Sequence, residues 1–180
     1  MPIYYKMVAF EDNAVAPGAW KYFTAAEVNG WDGSNIEIWD HLNGVAAAEG
    51  QQHAELNAHP YTGSVFSIYQ TFPTVLSQTY DVSFFYRGRG SNNESFNFSV
   101  GNLSQLMDDH VTTGWAHYSN SFVANNLLTT IRFTTSTNST TGNFLDGVAV
   151  TAHLVVSEPA PLALLVLGGV ALGLVRRRRV

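Results

Sequence analysis

YDVSFFYRGR, Tyr80 to Arg89, puts Val82 and Phe84 on one parity and Asp81, Ser83, Phe85 and Arg87 on the other. That is the period of two of a half-buried β-strand, because successive side chains of a pleated backbone point to opposite faces. The alternation recurs to either side. Ile36 and Ile38 oppose Glu37 and Trp39, and Ala54 and Leu56 oppose His53, Glu55 and Asn57. Phe96, Phe98 and Val100 oppose Asn97 and Ser99, while Ile131 and Phe133 oppose Arg132. The first-named sets are the expected core. Nine strands are predicted, over 4–10, 35–40, 52–57, 64–72, 79–88, 95–101, 115–123, 128–136 and 144–154. Gly, Asn and Ser clusters separate them and helical periodicity is nearly absent before residue 157, so the pattern predicts an all-β sandwich of two stacked sheets. The polar run TTSTNSTTGN, Thr134 to Asn143, starts as strand and ends as a hairpin loop. No internal repeat is present.

Composition narrows the functions. Residues 1–157 hold five basic and 13 acidic side chains, a net charge of −8. Nucleic acid is therefore not an expected partner, since binding it takes a basic stripe that displaces counterions. The chain contains no cysteine, which excludes disulfides, thiolate zinc sites and thiol catalysis. The length suits one core, over residues 1–156, followed by a distinct segment, 157–180.

That segment reads SEPAPLALLVLGGVALGLVRRRRV. From Ala160 to Val175 it carries no charge, so a transmembrane helix there would satisfy its backbone bonds internally. Sixteen residues at ~1.5 Å each reach roughly 24 Å, short of a ~30 Å bilayer core, and the span needs thinning or snorkelling arginines. Arg176, Arg177, Arg178 and Arg179 would stay on the cytoplasmic side, leaving residues before Glu158 outside. The triplet Ser157-Glu158-Pro159, the short apolar run and the arginine cluster together resemble the PEP-CTERM protein-sorting signal of Gram-negative bacteria. The resemblance implies cleavage near Glu158-Pro159 by an exosortase-type membrane enzyme. The protein would be anchored in the inner membrane before processing and then pass to the cell surface or extracellular matrix. A plain C-terminal anchor is the alternative. Export also requires a leader, and MPIYYKMVAFEDN has only Lys6 and no apolar stretch of seven, so upstream codons are expected to encode a signal peptide.

Over residues 10–153 the order of several phrases resembles secreted galactose-binding-like jelly-roll domains, especially the DUF642-like group. They are FED at Phe10, GW at Gly30, IEIW at Ile36, AAEGQQHAELNA at Ala47, IYQ at Ile68, YDVSFFYRGR at Tyr80 and FLDGVAV at Phe144. The resemblance implies that the early Phe-Glu and the late Leu-Asp meet, so that Glu11 and Asp146 hold a structural Ca²⁺. Such an ion, bound by carboxylate and backbone oxygens, would pin the chain ends together. Otherwise Glu11 merely opens a strand and Asp146 makes a turn with Gly147.

Strand parity also gathers Glu37, Trp39, His53, Glu55, Asn57 and Arg87 on one outward face, with Trp31, Tyr61 and Tyr86 as a possible rim. A ring that stacks on the C–H face of a sugar, beside carboxylate, amide and guanidinium groups for its hydroxyls, is a carbohydrate-binding chemistry. Of these, Glu37, Trp39, Glu55, Asn57 and Arg87 are the candidate ligand residues. The competing reading pairs Arg87 with Glu55 or Glu37 purely to stabilise the sheet. His53 and His59 lack the spacing of a zinc pair, and no Gly-x-Ser-x-Gly elbow or phosphate loop occurs. The expected function is an exported, non-catalytic module that binds carbohydrate or exopolysaccharide. A structural or adhesion protein of the extracellular matrix is the alternative, and a glycoside hydrolase using Glu37 and Glu55 is a third.

Overall fold

The computed structural model describes residues 4–6, 10–91 and 93–153. Twelve strands form among them: β1 (Tyr4–Lys6), β2 (Ala19–Phe23), β3 (Asp32–Gly33), β4 (Ile36–Asp40), β5 (Gln52–Glu55), β6 (Ser67–Pro73), β7 (Thr79–Gly88), β8 (Phe96–Val100), β9 (Leu103–Met107), β10 (Ala116–Val123), β11 (Leu128–Thr135) and β12 (Asn143–Ala152). They make the expected all-β sandwich. A seven-stranded sheet runs β10-β7-β12-β5-β4-β2, with β1 also paired to β12, and a five-stranded sheet runs β3-β6-β11-β8-β9.

The alternating apolar residues fill the space between the sheets. Ile36, Ile38, Ala54, Leu56, Val82, Phe84, Phe96, Phe98, Val100, Ile131 and Phe133 are all buried in one cluster. Phe84 lies at its centre, with ring centroids 4.8 Å from Phe98, 4.8 Å from Tyr118 and 5.1 Å from Phe133. Each such ring removed from water contributes about 2–3 kcal/mol.

Three strands lie outside the predicted nine. β2 and β9 are sheet edges with mostly exposed side chains, so they lack the buried parity that marks an interior strand. β3 has only two residues. Two predicted rim residues belong instead to the core: Trp31 stacks on Phe10 at 5.4 Å, and Tyr86 shares the parity of Val82 and Phe84. Among the described residues no helix is long and apolar enough to cross a membrane. The expected transmembrane helix over 160–175 and the sorting residues Glu158, Pro159 and Arg176 to Arg179 lie outside the described residues.

Candidate functional site

Antiparallel register lines up the polar face of the seven-stranded sheet in two rows. Tyr22 faces Glu37, Glu37 faces Glu55, Glu55 faces Phe144 and Phe144 faces Arg87, crossing β2, β4, β5, β12 and β7. Beside it, Trp20 faces Trp39 and Trp39 faces His53. The residues that parity placed on one face are therefore together. They are not outward in the sense of wet, because Glu37, Trp39, His53, Glu55 and Asn57 are each at most 3% exposed.

Loops cover this face. Asn57 Nδ2 donates to the carbonyls of Thr137 and Ser139 at 3.2 and 2.7 Å, fastening the polar loop after β11 across the sheet. Trp115 Nε1 donates to Ala46 O at 3.0 Å, and Arg87 Nη2 donates to Thr112 O. Beneath them Trp39, His53, Trp115 and Phe144 form a second aromatic layer. The His53 ring lies 4.6 Å from Phe144 and 5.4 Å from Trp115, both edge to face. Neither His53 nitrogen has a hydrogen-bond partner. Burial, reinforced by Arg87, pushes its pKa down to about 4.

The cation at the carboxylates is Arg89 rather than Arg87. Arg89 Nη1 donates to Glu55 Oε2 at 2.9 Å and to Oε1 at 3.1 Å, and its guanidinium lies 4.7 Å from the Trp39 ring centroid. Gly142 N donates to Glu55 Oε1 at 3.0 Å. Arg87 sits instead against Trp115, at 5.8 Å, with Nε unpartnered. Burial raises the Glu55 pKa and the neighbouring Glu37 raises it further, against the pull of Arg89. Both Glu37 oxygens are also engaged, one by Trp39 Nε1 at 2.8 Å and the other by His59 N at 3.1 Å.

Where this layer meets solvent it opens into a hollow of about 130 Å³ lined by Trp20, Glu37, His59, Arg89 and Thr140. Trp20 and Tyr22, about two-fifths exposed at 42% and 43%, stand beside it on edge strand β2. The His59 ring lies 6.0 Å from Trp20 and 5.7 Å from Tyr22. Trp20, Tyr22, His59, Arg89 and Thr140 were absent from the sequence-derived set. Trp20 and Tyr22 do carry a usable signal, since they oppose Lys21 with period two in AWKYF.

Glu11 and Asp146, the residues expected to hold a structural Ca²⁺, both bond to the segment before β5. Aspartate and glycine at 146–147 form a bulge in β12, where the register on β7 shifts between Asp146 and Ala149. Gly147 has φ +55, and a Cβ there would stand 2.8 Å from the Phe85 ring, so glycine is required. The bulge presents Asp146 to the 46–52 loop, where Oδ2 accepts from Ala48 N at 2.7 Å and Glu49 N at 2.9 Å. Glu11 Oε1 accepts from Gln51 N and Gln52 N of the same loop at 3.0 and 3.1 Å. Burial raises Asp146 to about 6, Glu11 adding a smaller push against three backbone donors. Among the described residues no group of three or more His, Asp or Glu could hold a metal ion.

No protein-family model and no curated protein matches the chain. Solved structures share its fold. A cyclase from Fischerella sp. TAU is similar at 16% identity over 85% of this chain and 97% of that one, with a TM-score of 0.63. A Stig cyclase from the same source, in complex with an indole compound, is similar at 13% identity over 85% and 98%, TM-score 0.60. An arabinose-bound α-L-arabinofuranosidase is similar at 12% identity over 84% of this chain but only 26% of its own, TM-score 0.51.

Proposed function

We propose that the chain is a carbohydrate-binding module whose ligand lies on Trp20 and Tyr22 and reaches into the hollow between them and Arg89. The carrying observation is the pair of exposed rings on β2 beside a carboxylate and a guanidinium that the fold already holds in place. Rings of this kind stack on the apolar face of a pyranose, and fixed polar groups at the edge meet its hydroxyls. The fold is shared with cyclases and with part of an arabinofuranosidase, so the residues rather than the fold support this reading. Binding is favoured over hydrolysis because Glu55 is fully buried, with both oxygens accepting hydrogen bonds, and offers no free acid to a glycosidic oxygen.

The test is a glycan array followed by calorimetry on residues 1–156. Trp20→Ala should lower affinity at least tenfold while leaving the melting temperature within a degree or two, because the ring is exposed. Trp39→Ala is unsuitable as a binding probe, since that ring is buried and its loss would damage the domain. Silence across all glycans combined with self-association would favour the matrix or adhesion reading instead.

The chain's tail supports export and inner-membrane anchoring, with processing by an exosortase-type enzyme near Glu158-Pro159 and delivery to the surface or matrix. The loop that joins Glu11 to Asp146 supports a structural Ca²⁺. Gly50, at φ +65, brings the loop backbone against the Glu11 carboxylate with no room for a Cβ, and a cation would favour ionised Asp146 over its buried neutral form. At a hundredfold excess over its dissociation constant, calcium should add about 2.7 kcal/mol, or roughly 5–10 °C in melting temperature for a domain this size. Chelator should remove that gain and Asp146→Ala should abolish it; equal melting with calcium and with chelator would dismiss the ion.

A further inference from the structure

At one end of the sandwich the loop between β6 and β7 is clasped to the loop between β10 and β11. Thr74 N donates to Leu127 O at 2.8 Å, Thr74 Oγ1 to Asn126 O at 2.7 Å, and Ser77 N to Ala124 O at 2.8 Å. These bonds fix the backbone and leave aliphatic side chains in water: Val75 and Leu76 are 54% exposed, Val123 49%, Leu127 67% and Leu128 62%. Neither Pro73 to Gln78 nor Val123 to Leu128 contains a charged residue. Exposed aliphatic side chains gathered on two clasped loops mark an interaction surface.

The end of the described chain is tied to the same place. His153 N donates to Thr79 O at 2.9 Å, and His153 O accepts from Gln78 Nε2 at 2.7 Å, in the loop that carries Val75 and Leu76. Six residues, 154–159, then precede the uncharged run of 160–175. Six residues span at most about 20 Å even when fully extended. Whatever receives the apolar run is therefore held close to the patch.

We propose that this end of the sandwich docks on the lipid surface in which the tail is anchored, with Val75, Leu76, Leu127 and Leu128 entering the interfacial layer. The proposal rests on the reading of 160–175 as a membrane anchor. Aliphatic side chains gain by leaving water at the headgroup boundary, and the lack of charge spares a desolvation cost. The tether supplies a high local concentration of lipid, so a patch too weak to bind alone suffices. Docking also sets the direction of the hollow. β7 begins at Thr79 beside the patch and ends just before Arg89, and its ten residues separate the two by about 33 Å. The sugar site would then face away from the bilayer.

With no native cysteine, a single introduced one reports a single position. An environment-sensitive fluorophore is placed in the full chain at Leu76→Cys, Leu127→Cys, Leu106→Cys on β9 or Leu172→Cys in the tail. Each variant is reconstituted in phosphatidylethanolamine and phosphatidylglycerol vesicles that carry a headgroup-level nitroxide quencher. The probes at 76, 127 and 172 should shift to the blue, with those at 76 and 127 quenched at least twofold more than that at 106. Adding Val75→Asp and Leu128→Asp should return the probe at 127 to an aqueous signal without lowering the melting temperature. A protected probe at 172 with aqueous probes at 76 and 127 would overturn the docking and leave the anchor standing. An aqueous probe at 172 would remove the anchor, and the docking with it. Probes at 76 and 127 that are equally protected in lipid-free buffer would overturn the proposal in favour of cover by the chain's own tail or a second copy.

Discussion

Arg89→Met should destabilise the domain by about 3 kcal/mol at pH 10, above the Glu55 pKa of about 9, where the wild-type protein holds an ionised buried carboxylate against its cation. Glu55 keeps only the Gly142 N–H when the two bonds from Arg89 Nη1 are removed. Glu37 directly across the strand pair continues to oppose its ionisation. Glu55 therefore protonates, and the sign of the pH dependence follows. Its folded pKa lies above the unfolded value of about 4.5, so the stability supplied by the neutral form is complete below about 4.5 and is lost as pH rises toward the folded pKa. The deficit of Arg89→Met against wild type should be smaller at pH 7, where Glu55 is neutral in both folded proteins, than at pH 10. Adding Glu55→Gln should recover most of the loss, since a neutral amide needs no counter-charge. Chemical denaturation of the three proteins at both pH values decides it; a single-variant deficit under 1 kcal/mol at pH 10 would show that the pair is not what holds this face together. The same substitution removes a guanidinium from the hollow, so sugar affinity should fall even where the double variant has regained its stability.

The second large effect belongs to His53. Its folded pKa of about 4 lies below the ordinary imidazole value of 6.5, because a charged imidazole would have to sit among Trp39, Trp115 and Phe144 beside Arg87. The stability that comes from keeping the ring neutral is complete above about pH 6.5 and is lost as pH falls through that window toward 4. At ~1.4 kcal/mol per unit the loss is about 3 kcal/mol. Asp146 acts in the opposite direction, since its folded pKa of about 6 exceeds the ordinary carboxyl value of 3.8 and favours the fold as pH falls over much of the same range. His53→Leu should unmask this opposition. No hydrogen bond is given up, because neither ring nitrogen has a partner, so the variant should match or exceed wild type at pH 7 in chelator. Between pH 7 and 5 it should hold or gain stability while wild type gains less or loses. Parallel curves for the two proteins over that range would remove His53 as the source.

Alternation in the interior strands was legible because both parities there are constrained: one faces the core and the other lies under loops. That is why Ile36, Ile38, Val82, Phe84, Phe98 and Phe133 could be placed by counting. The same counting put Glu37, Trp39, His53, Glu55 and Asn57 on a common face, yet it carried no information about what lay above them. The cover comes from residues some 80 positions away, such as Thr137 and Ser139 on Asn57, and a period of two cannot report so distant a contact. Arg89 was missed for a related reason. It lies just past the end of β7, where parity no longer specifies direction, and Glu55, Thr140 and Gly142 fix its position instead. Trp20 and Tyr22 sit on an edge strand where Lys21 is exposed as well, so no buried parity marks the strand. Glu11 and Asp146 both reach the segment before β5, Asp146 through a bulge that the Asp146-Gly147 pair makes possible.

The order of the seven-stranded sheet has a mechanical corollary. β2, which bears the exposed rings, and β12, from which the chain runs on past residue 153, belong to one continuous ladder through β4 and β5. If a long polymer gripped at β2 is dragged by flow while the far end of the chain is held, the tension crosses three strand pairings sideways. It never has to pass between the two layers. Failure under load would therefore begin where the ladder is thinnest, at the two residue pairs joining β5 to β12, with the greasy interior still closed.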